Sequence, residues 1–93
     1  MDIKIAMDNK FNLISENVSI GHNVKIGNFI IIEDGVKIGD DVIIESNTII
    51  LSNSKIGNNS FIGTYSKIGK NVELGSNCRM TAYCELRDNC IVG

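Results

Sequence analysis

Few residues in this chain are of a type that could do chemistry. There is one histidine, His22, and there are three cysteines, Cys78, Cys84 and Cys90. An imidazole can serve as a general base toward an attacking amine or hydroxyl. Thiolates hold metals or pair into disulfides. The cysteines stand six residues apart, whereas metal sites use tighter pairs such as Cys-x-x-Cys. Their odd number, with no signal-peptide form from Met1 to Phe11, fits reduced thiols in the cytoplasm. Buried core thiols and no metal are therefore expected, since a free cysteine packs as a small apolar residue. A phosphate loop of the form Gly-x-x-x-x-Gly-Lys-Ser/Thr is absent, because Gly69-Lys70 is followed by Asn71.

What must position these residues is a six-residue period. Position one of the hexad runs Ile14, Ile20, Ile26, Ile32, Ile38, Ile44, Ile50, Ile56, Ile62, Ile68, Leu74, Met80, Leu86, Val92, without a slip. A period held this long means a solenoid. Position two is Gly in 8 of 14 hexads. Position four is Asn in 8 of 13, with Gly35 and Asp41 besides, and these residues tolerate positive φ at a tight corner. Positions five, six, one and two then form a short strand such as Val24-Lys25-Ile26-Gly27. Alternation turns positions five and one inward and position six outward. Position five is small or β-branched, and the three cysteines fall there. His22 falls at position three, where any polar residue suits a solvated turn.

A chain of 93 residues makes one domain at most. Its net charge of −2 supplies no basic field for nucleic acid, and no apolar run is long enough for a membrane span. Residues 1–13 are read as an N-terminal capping segment, with apolar-polar alternation at Ile3, Ile5 and Met7 that suits a strand. Residues 14–93 are read as the repeat domain.

Over residues 14–93 the repeat resembles that of the hexapeptide-repeat acyltransferase family. The resemblance implies an all-β, left-handed parallel β-helix of about 4.5 triangular coils, three hexads to a coil. Residue n then stacks on residue n+18, and the strands form three columns. At the corner between the second and third columns, position four departs from the Asn rule: Phe29, Asn47, Tyr65, Tyr83. With outward Ile43, Phe61, Ile31 and Ile49, and with Leu51, eight large apolar groups are expected to face water around one edge. Aromatic corner packing needs no partner. An apolar patch of this size also suits a subunit interface. The resemblance implies homotrimers, which places Phe29, Ile31, Ile43, Ile49, Leu51, Phe61, Tyr65 and Tyr83 in the interface.

The stretch Gly21-His22-Asn23-Val24-Lys25-Ile26-Gly27 is similar to the one around the catalytic histidine of sugar-nucleotide N-acyltransferases of lipid A synthesis. That similarity implies transfer of an acyl group from a coenzyme A or acyl carrier protein thioester to an amine or hydroxyl of a sugar nucleotide. His22 would be the general base, with Asp40 orienting it from the neighbouring coil. No cofactor would be bound, and acetyl-CoA or acyl-CoA would be a co-substrate. The single His excludes the carbonic anhydrases of this fold, which need three. The alternative is a non-catalytic β-helix assembly or scaffold module, or a fragment of a larger enzyme. The absence of proline, of a loop insertion and of a C-terminal cap after Val92-Gly93 favours a fragment, a truncation or a chain that stacks on a partner at that end.

Overall fold

The structure, a computed structural model, describes residues 3–6 and 11–93. It is all-β, with no helix among the described residues. Fourteen strands from Asn12–Ser15 to Ile91–Val92 wind through rather more than four turns of a parallel β-solenoid. The expected three columns are three sheets. The first holds Ser19–Ile20, Lys37–Ile38, Lys55–Ile56, Glu73–Leu74 and Ile91–Val92. The second holds Lys25–Ile26, Ile43–Ile44, Phe61–Ile62 and Arg79–Met80. The third holds Asn12–Ser15, Ile31–Ile32, Ile49–Ile50, Lys67–Ile68 and Glu85–Leu86. The register is 18 throughout, as in Ile43↔Phe61 and Ile49↔Lys67. Strand Ile3–Ala6 adds antiparallel to Asn12–Ser15 at the edge of the third sheet. The strand expectation at Met7 falls outside the described residues.

The regular strands are two residues long, positions six and one, and not four. Positions five and two still serve the ladder, but the chain is already bending there. The N–H of position six donates to the position-five carbonyl one coil on, as Lys25 does to Val42 at 2.9 Å. The N–H of position two does the same with position one, as Gly27 does to Ile44 at 2.9 Å. Each corner turns at position four, where φ is positive at every such residue from Asn23 to Asn89. The corner N–H is also bonded between coils, as Asp41 is to the His22 carbonyl at 2.9 Å.

The core is the stacked column of position-one aliphatics, among which Ile32, Ile44, Ile50, Ile62 and Ile68 are fully buried. Position five supplies Val36, Val42 and Val72, then buried hydroxyls at Thr48, Ser54, Ser60 and Ser66. These hydroxyls bridge coils. Ser54 Oγ donates to the Gly69 carbonyl at 2.6 Å and accepts the Val72 N–H at 3.0 Å. Buried oxygens are tolerated because they are hydrogen-bonded, those of Ser54, Ser60 and Ser66 on both sides. Glycine at position two answers crowding: a Cβ on Gly57 would lie 2.5 Å from the backbone of Gly75 and Ser76 in the next coil.

Candidate functional site

His22 lies on the corner between the first and second sheets and is exposed. Its backbone N–H donates to Asp40 Oδ1 at 2.8 Å. The same bond recurs up the solenoid. Asn28 N–H donates to Ser46 Oγ, Asp40 N–H to Asn58 Oδ1 and Lys70 N–H to Asp88 Oδ1. At Asp40, Ser46, Asn58 and Asp88, then, the position-three side-chain oxygen accepts the position-three N–H of the preceding coil. Asp40 meets His22 through the main chain, and the bond fixes the corner that carries the imidazole. Asn23 Nδ2 donates to Asp41 Oδ1 at 2.8 Å beside it.

The cysteines stand at inward positions of the last coil, are free thiols and pack against the core. They are half-buried, not fully buried as expected, because no described coil stacks on theirs. Cys78 Sγ points to the Gly93 carbonyl at 3.7 Å, as Ser60 Oγ bonds the Gly75 carbonyl one coil earlier. The thiol is a weak replacement for the hydroxyl of that column. Among the described residues no group of three or more His, Cys, Asp or Glu is arranged to hold a metal.

The corner between the second and third sheets is chemically different. Phe11, Phe29, Asn47, Tyr65 and Tyr83 rise along it, one per coil, all with φ between 51° and 62°. Phe11 and Phe29 stack with centroids 5.8 Å apart and planes at 11°. Tyr65 and Tyr83 stack at 5.3 Å and 6°. All four rings are exposed, from 55% for Tyr65 to 76% for Tyr83. A bulky residue in the left-handed region costs about 1–2 kcal/mol, less for Asn. One ring stack returns roughly 0.5–1.5 kcal/mol. Stacking and the partial burial of the rings roughly offset that strain, so the rings add little to folding that Asn at the same corner would not.

Other large apolar groups flank this corner. Ile31 and Ile43 are exposed, while Ile49, Leu51 and Phe61 are only half-buried, which narrows the expected patch. The Arg79 guanidinium covers the Phe61 ring at 4.3 Å. The sequence reading missed Phe11 and Leu13. Both were legible by counting 18 back from Phe29 and Ile31, and Leu13 pairs with Ile31 in the third sheet. Asn12 between them is buried at the position-five site and accepts the Ile30 N–H at 2.9 Å. Next to the corner, on the second sheet, is a depression of about 400 Å³ lined by Lys25, Ile26, Gly27, Ile43, Ile44, Glu45, Ser46 and Thr64.

One family model, that of the GMPPB C-terminal domain, matches the chain over residues 9–93. The chain belongs to the GMPPB C-terminal domain family. This is a hexapeptide-repeat family of the left-handed β-helix type, and a sugar-nucleotide-related one. The match takes in Phe11 and Leu13. No curated protein matches the chain closely enough to stand as a relative. No helix among the described residues is long and apolar enough to cross a membrane.

Proposed function

We propose that this chain is an assembly module for sugar-nucleotide chemistry, closing into a homotrimer along the aromatic corner. The observation that carries this reading is the distribution of exposed apolar groups. Of the nine large hydrophobics exposed among the described residues, Phe11, Leu13, Phe29, Ile31, Ile43, Tyr65 and Tyr83 surround one corner. A contiguous patch of that kind is a recognition surface, and closed symmetry is the common way to cover it. Free thiols support a reducing cytoplasm as its place. Sedimentation over a concentration series tests the reading. A sharp trimer that Tyr65→Asn/Tyr83→Asn converts to a folded monomer supports it, and a wild-type monomer at every concentration removes it.

A second reading is acyl transfer from a coenzyme A or acyl carrier protein thioester to a sugar nucleotide, with His22 as the base. It is favoured by the exposed imidazole on a corner fixed by the Asp40 bond, where a substrate held by a neighbouring copy has access. Asp40 then positions His22 by way of the main chain. Under this reading His22→Ala abolishes transfer and leaves the fold intact, and transfer by that variant rules the base out. Thermal stabilisation by millimolar coenzyme A separates the enzyme from the pure assembly module.

A further inference from the structure

We propose that the gap at Asn47, between Phe29 and Tyr65, is a binding slot for the base of a nucleotide. Four rungs of the corner carry rings and the middle one carries an amide. The rings below the gap are stacked as a pair, and so are those above it. Neighbouring coils are about 4.8 Å apart, so Phe29 and Tyr65 are separated by roughly 10 Å. One planar ring midway lies about 5 Å from each, within the ~4.5–7 Å range of aromatic pairs. A single base therefore completes a five-ring stack.

Asn47 gives the slot its chemistry. Its backbone N–H is already bonded to the Asn28 carbonyl at 2.9 Å. Its side chain sets an NH2 donor beside a carbonyl acceptor. A nucleobase presents the complement: uracil and guanine set a carbonyl beside a ring N–H, and adenine and cytosine set a ring nitrogen beside an amino N–H. The edge of a protein phenyl ring offers neither, which favours a base over an aromatic side chain of a second copy.

The neighbouring depression suits the rest of the nucleotide. Ser46 precedes Asn47 in the chain and lines the depression together with Glu45 and Lys25. Glu45 is placed to accept hydrogen bonds from ribose hydroxyls, a role carboxylates fill in dinucleotide folds. Lys25 is paired with Ile43 at the far end and supplies a cation for the diphosphate. From Asn47 back to Ile43 the chain covers on the order of 10 Å, comparable to the reach from a base to its diphosphate. The inference rests on the aromatic corner being a recognition surface and names a ligand for it. The slot and the trimer use the same rings, Phe29 and Tyr65, so the nucleotide is a ligand of the free chain, and every group of the slot belongs to one chain.

The two tyrosines of the chain are both in the stack, and there is no tryptophan, so tyrosine fluorescence reports this corner alone. The test titrates the whole chain with uridine and guanosine diphosphates and with the bare nucleosides, by calorimetry and tyrosine emission. Binding with a change in tyrosine emission is expected. Asn47→Tyr fills the rung and should lose the nucleotide, whereas Tyr65→Asn removes one face and should weaken it roughly ten-fold. Tyr already occupies this corner at two other rungs, so the filled variant has a precedent for folding. Lys25→Ala should weaken the diphosphates and leave the nucleosides unchanged. No binding by the wild type at millimolar nucleotide overturns the slot, as does binding that Asn47→Tyr leaves unchanged. Sedimentation of the same samples keeps the two proposals apart. Loss of the trimer in Asn47→Tyr without nucleotide binding means that the gap takes a ring of another subunit, which overturns the slot alone. Nucleotide binding by a wild type that is monomeric at every concentration without nucleotide overturns the trimer alone.

Discussion

Replacing Tyr65 and Tyr83 together by Asn should leave the stability of the isolated chain nearly unchanged. Truncating two aromatics in a protein core would cost about 3–5 kcal/mol each. Here three terms oppose one another. Positive φ at 57° and 61° strains both residues, and Asn relieves most of about 1–2 kcal/mol at each. Loss of the 5.3 Å stack gives back roughly 0.5–1.5 kcal/mol. The side chains are 55% and 76% exposed, so the burial lost is less than that of one full residue, about 1–2 kcal/mol. The sum is within about 1 kcal/mol of zero. Urea unfolding of dilute protein, with the slope compared between variants, reads this directly. In the proposed trimer the same variant should lose the concentration dependence of its melting temperature. A loss above about 3 kcal/mol in the dilute chain would refute the reasoning, since the rings would then be folding elements.

Two further outcomes test the packing. Gly57→Ala places a methyl 2.5 Å from the next coil's backbone and should destabilise by about 3 kcal/mol or more, whereas Gly93→Ala, with open space around its Cβ, should change little; thermal melts compare them. Ser54→Ala removes two buried hydrogen bonds, to the Gly69 carbonyl and from the Val72 N–H, and should cost roughly 1–3 kcal/mol by urea titration.

Much of the molecule was legible in the hexad because its information is local. The Asn at position four states a positive φ, and the aliphatic at position one states an inward side chain. Neither needs a distant residue to be understood. The two-residue strands were less legible, because where a strand stops depends on how sharply each corner bends. The position-three Asp and Asn residues looked like generic turn residues. Their use as acceptors for the position-three N–H one coil back appears only when residue 40 is set against residue 22. Likewise the position-five serines looked merely small, and their oxygens matter because each reaches carbonyl and amide groups of the next coil.

The sequence alone therefore determined the repeat, its inward and outward faces and the chirality of its corners, because φ and side-chain direction are properties of a single hexad. The tertiary structure decided which hexads meet. The coil closes after three, so Tyr65 finds Tyr83, Phe11 finds Phe29, and Asn47 is left alone between two ring pairs. That closure is set by how successive corners add up around the core. No single hexad encodes it; the family resemblance supplied the three-hexad coil and so aligned Phe29, Asn47, Tyr65 and Tyr83, and the structure added the pairing of the rings.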